Sequence, residues 1–230
     1  MNSNSLFQLQ DSERLVLQAV WDRGPVARVE ICERTNLGSA SVTRITRALI
    51  ERGLVQESTL YDGRRGQPIR PMILRADGAY AFGVYFSHTY MDVGLLDFAG
   101  TLVARDRRPL REATASAIAR GASTALTQMA DAGGIDLSRV VGAGFAVPGD
   151  FDASGKHLKA HAYFPALFDR DVATEFARTM PVQVFVENDG KAAAAGERVN
   201  GAGRGLQTFV FIHIGHGVGG GLVLDGRLYR

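Results

Sequence analysis

The sequence has one cysteine, Cys32, among its 230 residues, which excludes an internal disulfide and any zinc site built on a Cys-Cys pair within it. Cys32 is read as a small core hydrophobe. No uninterrupted apolar run is long enough to cross a bilayer. The opening Met1-Asn2-Ser3-Asn4-Ser5 has neither the basic start nor the apolar run of a secretion signal. A cytoplasmic location with no membrane partner is therefore expected. Lysine is missing before Arg75, where every basic side chain is arginine. The net charge of +2 is too small to argue for nucleic acid by itself, because DNA affinity comes from local clusters of cations that displace counterions from phosphates. What is present, 46% hydrophobic residues in a chain of this length, is ordinary globular composition with room for a small domain and a larger one.

The arginines before residue 76 are interleaved with Ser, Thr and Gln, and arginine can grip phosphate or guanine through two parallel hydrogen bonds. Helix one is expected from Asp11-Ser12-Glu13 onward, with Asp or Ser as its cap, and Gly24-Pro25 ends it. Helix two is expected over residues 28–35 with Val29, Ile31 and Cys32 on its buried side. Asn36-Leu37-Gly38 is the turn. Helix three, residues 39–52, places Val42, Ile45 and Leu49 on one face and Ala40, Thr43, Arg44 and Arg47 on the other. Gly53 stops it. Residues 54–58 and 70–74 read as two strands around the basic, Gly-rich loop Tyr61-Asp62-Gly63-Arg64-Arg65-Gly66-Gln67-Pro68, a wing. This order predicts a winged helix-turn-helix that binds double-stranded DNA. Ser39, Ser41, Thr43, Arg44 and Arg47 would face the major groove, and Arg64, Arg65 and Gln67 would reach the backbone or an adjacent minor groove. A helical pair used for dimerisation fits the same pattern.

From Tyr80 the composition changes to apolar strands with Gly-rich turns. Residues 81–86 and 91–97 read as a hairpin closed near Ser87-His88, followed by a strand at 102–105, a helix at 113–132, and buried strands at 140–147 and 181–186. Strands mixed with helices in this order suggest a layered α/β domain. Asn188 and Asp189 sit between a strand and an Ala-rich helix, where they can cap the helix or contact a ligand. The glycines from Gly215 to Gly221 can let backbone amides approach phosphate oxygens or form a tight hairpin.

Three runs in order behind the winged helix resemble the family named for repressors, open reading frames and kinases (ROK). They are Gly142-Ala143-Gly144-Phe145-Ala146-Val147-Pro148-Gly149, then Val186-Glu187-Asn188-Asp189-Gly190-Lys191-Ala192-Ala193-Ala194-Ala195-Gly196-Glu197, and Ile214-Gly215-His216-Gly217-Val218-Gly219-Gly220-Gly221 followed by Asp225-Gly226. The resemblance implies an α/β fold: a winged helix-turn-helix over residues 1–78, then an incomplete actin/hexokinase-like domain over 79–230. In the family's kinases the residue matching Asp189 is the general base toward the sugar hydroxyl, and the one matching Asn188 orients the sugar. Asn188 and Asp189 are thus the expected sugar-binding pair, with Asp189 a vestigial base and no catalytic residue expected.

Departures from the family point away from a kinase. Its first phosphate loop, Asp-x-Gly-Gly-Thr, matches Tyr85-Phe86-Ser87-His88-Thr89, where only the threonine survives. Tyr85 cannot offer a carboxylate to magnesium-ATP, and the side chains of Ser87 and His88 fill space that glycines leave open. His216 replaces a threonine in the second loop, leaving Gly215, Gly217, Gly219 and Gly220 as a vestigial phosphate loop. Where the family often has Pro-Asn and an aromatic, this chain has Ala160-His161-Ala162-Tyr163-Phe164-Pro165; His161 or Tyr163 can contact a ligand, while Phe164 is assigned to packing. Family regulators continue beyond the point matching Arg230 through a Glu-x-Gly-His segment and a zinc-binding cysteine cluster, so no metal or other cofactor is expected within this chain, and part of the second lobe's apolar face is expected to be open to a partner chain.

The resemblance implies a sugar-responsive transcriptional regulator, a repressor of carbohydrate genes, with a two-fold DNA operator, a small sugar or sugar-phosphate effector, and a homodimer or tetramer. The rival readings are an ATP-dependent sugar kinase and a constitutive DNA-binding protein whose sugar domain only dimerises.

Overall fold

The computed structural model describes residues 8–58, 70–214 and 218–229. It divides into two compact units, Met1–Tyr80 with Leu96–Thr101, and Ala81–Leu95 with Leu102–Arg230.

The first unit is three helices and a strand pair: α1 (Asp11–Arg23), α2 (Arg28–Thr35), α3 (Ser39–Glu51), β1 (Val55–Glu57) and β2 (Met72–Leu74), with β1 and β2 antiparallel. The cap of α1 is Gln10, one residue before the Asp or Ser expected. The Glu13 carboxylate reaches back to accept the Gln10 backbone N–H at 2.9 Å, which moves the helix start upstream. Glu30 does the same for the Ala27 N–H at the start of α2, at 2.9 Å. Thr35 donates to the Ile31 carbonyl, and Asn36 then takes the left-handed conformation at φ 55°, which turns the chain into α3. Val42, Ile45 and Leu49 line the buried face of α3 and join Val16, Val20, Ile31, Leu54 and Met72 in one core. Gly53, at φ 71°, ends the helix in a conformation that costs glycine little.

The expected buried side of α2 holds only in part. Ile31 is fully buried and Cys32 half-buried, but Val29 is 64% exposed. A helix of eight residues buries a narrow stripe, and Val29, two residues before Ile31 and so about 200° round the helix from it, faces away from the core. The unit also contains the turn Leu96–Thr101. There Phe98 sits edge-on to Trp21 at 5.5 Å and donates its N–H to the Ala76 carbonyl.

The second unit is built on a five-stranded sheet, β3 (Tyr80–Phe86), β4 (Tyr90–Asp97), β5 (Leu102–Pro109), β6 (Val140–Val147) and β9 (Val184–Asn188), in the order β5-β4-β3-β6-β9 with β6 and β9 parallel. β5 runs four residues past the expected end. Its outer half, Arg105-Asp106-Arg107-Arg108, lacks an apolar pattern because it is an edge strand, and Arg107 is held to Asp92 of β4 by two hydrogen bonds of 2.8 and 2.6 Å. Thr114 caps α4 (Ala115–Gly133), whose small-residue face, Ala115, Ala119, Ala122 and Ala125, is fully packed. A short pair, β7 (Gly149–Phe151) and β8 (Leu158–Ala160), follows β6, and α5 (Val172–Ala177) packs on α4. The core centres on Phe82, Phe86, Phe145 and Phe176, each contributing roughly 2 kcal/mol by burial. Phe145 and Phe176 stack at 4.3 Å.

β9 starts at Val184, three residues later than expected, and leads directly into α6 (Asp189–Asn200). Then β10 (Phe209–Ile214), β11 (Val218–Leu224) and β12 (Arg227–Leu228) form an antiparallel sheet against which α6 packs. No helix among the described residues is long and apolar enough to cross a membrane.

Candidate functional site

A cavity of about 190 Å³ lies at the carboxyl ends of β3, β6 and β9, the end of an α/β sheet where ligands are usually held. Its walls are Tyr85, Phe86, Ser87 and His88 from the end of β3 and the turn after it, Pro148 and Gly149 after β6, and His161, Tyr163 and Phe164 after β8. Asn188 and Asp189 close it at the β9–α6 junction, with His213, Val218 and Gly219 from β10 and β11.

Asn188 and Asp189 come together there as half-buried neighbours. The Asn188 Oδ1 accepts the Lys191 N–H at 3.0 Å and so caps α6. Its Nδ2 donates to the Gly149 carbonyl at 2.8 Å and to Asp189 Oδ1 at 3.1 Å. Both amide hydrogens are thus used in tying α6 to the β6–β7 corner and in fixing the Asp189 carboxylate. Asp189 Oδ1 also accepts the Gly190 N–H at 2.8 Å, while Oδ2 has no hydrogen bond among the described residues. The Gly149 carbonyl reaches Asn188 because Gly149 adopts φ 133°, where a Cβ would meet the Lys159 carbonyl at 2.5 Å. Beside this pair Lys191 Nζ bonds Asp150 at 3.1 Å and, with the Phe151 N–H, holds that carboxyl below its ordinary range.

The lining also carries phenol and imidazole groups. Burial first, then the facing Tyr90 and the Asp189 carboxylate, push the Tyr85 phenol up from its ordinary value, so it stays neutral. Ser87 Oγ accepts the N–H groups of Thr89 and Tyr90 at 3.2 Å each and lies 3.3 Å from Thr89 Oγ1, so the serine closes the β3–β4 turn and the threonine stands beside it. Phe164 is buried edge-on against Phe86 at 5.7 Å, a packing role, whereas Tyr163 is 53% exposed. His213, which sequence reasoning missed, enters from β10; the alternation of Phe209-Val210-Phe211-Ile212-His213-Ile214 was its only signal.

Of the Gly-rich run, Gly215, His216 and Gly217 lie outside the described residues. Gly219 pairs with His213 and lines the cavity. Gly220 serves packing: a Cβ on Gly190 of α6 would lie 2.6 Å from the Gly220 nitrogen, so helix and strand meet backbone to backbone.

In the first unit, Ser39, Thr43, Arg44 and Arg47 are exposed on α3 and Ser41 is half-buried. Arg47 pairs with Glu51 one turn on, at 3.0 Å. Arg44, like Arg23 and Arg34, has no ion-pair partner among the described residues, while four other arginines are paired. Arg28 donates to Thr46 Oγ1 at 3.0 Å and to Glu57 at 2.9 Å, and Arg70 also reaches Glu57, at 3.4 Å. Arg52 meets Glu13 at 3.4 Å, and Arg75 grips Asp77 with two bonds of 2.7 and 2.9 Å. All four are engaged with carboxylates, Arg28 and Arg52 joining segments distant in sequence, so the arginine cluster seen in the sequence is only partly available to an outside anion. Arg64, Arg65 and Gln67 lie outside the described residues.

Cys32 is the sole cysteine of the sequence, and no group of three His, Cys, Asp or Glu side chains that could hold a metal is found among the described residues.

Comparison with known proteins gives a consistent placement. A protein of Sinorhizobium fredii, y4fQ, is 38% identical over 223 residues, covering 96% of this chain and 57% of that protein. The N-acetylglucosamine repressor of Escherichia coli is 27% identical over 208 residues, 90% of this chain and 50% of the repressor. The xylose repressor of Bacillus subtilis is 25% identical over 236 residues, 99% and 59%. The chain spans about half the length of the curated relatives it matches. Among solved structures, a ROK family transcriptional regulator homologous to Escherichia coli Mlc superposes with a TM-score of 0.75 at 24% identity, over 95% of this chain and 55% of that one, which establishes the fold. A ROK family glucokinase from Streptomyces griseus, solved with glucose and AMPPNP, gives 0.57 at 25% identity over 66% of this chain and 46% of the kinase. The family model described as ROK matches residues 81–230, and the chain belongs to the ROK family.

Proposed function

We propose that this chain carries the DNA-binding and effector-sensing parts of a sugar-responsive transcriptional repressor of carbohydrate genes, acting in the cytoplasm. The first unit is read as a winged helix-turn-helix, with α3 in the major groove and β1 and β2 flanking the wing. Ser39, Ser41 and Thr43 allow close approach, Arg44 and Arg47 reach bases or phosphates, and Arg64, Arg65 and Gln67 engage the neighbouring backbone or minor groove. The observation that carries this reading is the division of the arginines: Arg28, Arg52, Arg70 and Arg75 are bound to carboxylates, while Arg44 stands unpaired on the exposed face of α3. The names of the repressor relatives support it.

In the second unit the effector is a small sugar or sugar phosphate, its hydroxyl taken by Asp189 Oδ2 and its position fixed through Asn188. Gly215, Gly217, Gly219 and Gly220 are the vestige of a phosphate loop. Effector binding shifts the equilibrium between two arrangements of a homodimer or tetramer that differ in operator affinity, which requires different sugar affinity in each. The single test is a footprint on the DNA upstream of the protein's own gene at two salt concentrations, with wild type and Arg44→Ala. A protected inverted repeat, lost in the variant and released by sugar, is expected; equal weak protection by both proteins would overturn the reading.

A sugar kinase is the second reading, favoured by the open Asp189 Oδ2 and opposed by Tyr85, Ser87 and His88 where an acid and glycines would serve ATP. ADP release with a panel of hexoses decides it. Operator binding with no sugar binding by calorimetry would instead favour a constitutive DNA-binding protein whose second unit dimerises.

A further inference from the structure

We propose that Arg28, the first residue of α2, is a positioning residue for sequence recognition on DNA: its guanidinium fixes the roll of α3 against β1 without itself touching the nucleic acid. This rests on the DNA-binding reading of the first unit. The inner face of α3 is apolar at Val42, Ile45 and Leu49, yet among them stands Thr46, the one buried polar side chain among the described residues. Its hydroxyl donates to the Thr43 carbonyl at 3.1 Å. With its single hydrogen spent, the oxygen can only accept, and the group facing it has to be a donor. That donor is Arg28 Nε at 3.0 Å, and on the same guanidinium Nη2 donates to Glu57 Oε1 of β1 at 2.9 Å. One planar group thus joins α2, α3 and β1. Beside it Val26 and Met72 exchange backbone bonds of 3.0 and 2.8 Å, which tie the entry of α2 to β2.

A valine at position 46 would fill the same space, so the hydroxyl adds little to burial; what it adds is direction. Apolar contact is non-directional and tolerates small rolls of a helix, whereas two hydrogen bonds from a rigid fork do not. Thr43, Arg44 and Arg47 leave the same turns of α3 on its exposed side. At the radius of a helix with its side chains, a roll of roughly 10° carries their tips about 1 Å. A hydrogen bond to a base edge works over a range of only about 0.5 Å. Contacts to phosphate carry no sequence information, and a long flexible arginine can follow them through such a roll. The network therefore acts on the preference for one sequence over another and not on the overall attraction to DNA.

The test compares wild type, Thr46→Val, Thr46→Ser and Arg28→Gln on two duplexes at two salt concentrations, with the melting of each protein followed at Trp21. One duplex carries the sequence protected upstream of the protein's own gene and the other is its scrambled counterpart. Thr46→Val keeps shape and burial but offers no acceptor, and it should cut the preference for the first duplex about tenfold while affinity for the scrambled one and the salt slope stay as in wild type. Thr46→Ser, which restores the hydroxyl, should recover the preference. Arg28→Gln should lose the preference as Thr46→Val does, again with the salt slope of wild type. Full preference in a folded Thr46→Val would overturn the proposal and leave the network a role in stability alone; should that variant not fold, Arg28→Gln decides by the same criterion. A salt slope lower by about one unit in Arg28→Gln would also overturn it, because Arg28 would then be a phosphate contact. If wild type binds both duplexes equally, the DNA-recognition reading falls and the positioning role with it.

Discussion

Arg44 and Asn188 differ in what the fold asks of them. Arg44 projects from α3 with no ion-pair partner among the described residues, so its side chain is free for an outside partner. Asn188 caps α6, bonds the Gly149 carbonyl and steadies Asp189 at once. The proposed DNA surface is therefore separable from stability, whereas the proposed sugar site is not. Surfaces that present side chains to a groove can vary without cost to the core; a site at a strand-to-helix junction is built from the residues that make the junction.

The contrast is sharpest where the second unit's backbones meet. In Gly190→Val, the Cβ placed 2.6 Å from the Gly220 nitrogen would force α6 off β11, costing about 3 kcal/mol by overpacking. Urea unfolding should show the loss, and sugar binding should go with it; a variant as stable as wild type would mean that α6 is not tightly seated. Asn188→Ala should cost about 1 kcal/mol as a lost cap and weaken sugar binding beyond that share, because the Asp189 carboxylate loses its brace. If stability falls and affinity does not, Asn188 serves the helix alone.

Glu57 offers the corresponding lever in the first unit. The hydrogen bond from Arg28 holds its carboxyl below the ordinary 4.5, with Arg70 adding to the effect. A depressed carboxylate stabilises the fold above its unfolded value, and that contribution is lost as pH falls through the lower folded value. Melting followed at the single tryptophan, Trp21, should therefore weaken below about pH 4.5 in wild type. Glu57→Gln should start roughly 0.5–1 kcal/mol less stable at pH 7 and lose less on acidification. Parallel curves for the two proteins would show that the Arg28–Glu57 pair contributes nothing.

Periodicity made α3 legible because Val42, Ile45 and Leu49 repeat at helical spacing, and the Asn188-Asp189 junction was legible because a polar pair stood between a strand and an Ala-rich run. Three features were not. Counting arginines could not tell Arg28, which meets Glu57 from a distant strand, from Arg44, since pairing is decided by tertiary neighbours. The outer half of β5 lacked an apolar pattern because an edge strand carries charge. His88 and Tyr163 touch only because the β3–β4 turn and the loop after β8 end at the same corner, and no local pattern reports such a meeting.

The smallest effect on stability is expected at Arg44. An exposed side chain with no partner among the described residues can be truncated within about 0.5 kcal/mol, so Arg44→Ala should melt with wild type. Its effect on operator DNA should be larger: a base contact is worth roughly 1–3 kcal/mol, with selectivity relaxed at one position, whereas a phosphate contact weakens all sequences alike and lowers the salt slope by about one unit. Binding isotherms at two salt concentrations on specific and scrambled DNA separate these outcomes. Arg47→Ala is the internal comparison, because Arg47 must first leave Glu51 to reach DNA. An exposed pair of this kind is worth only about 0.3–0.5 kcal/mol, so a variant at 47 should lose nearly as much DNA affinity as one at 44 if both arginines face the groove. If Arg47→Ala loses nothing while Arg44→Ala loses tenfold, the contact surface ends within the first two turns of α3, and the helix enters the groove by its amino-terminal end.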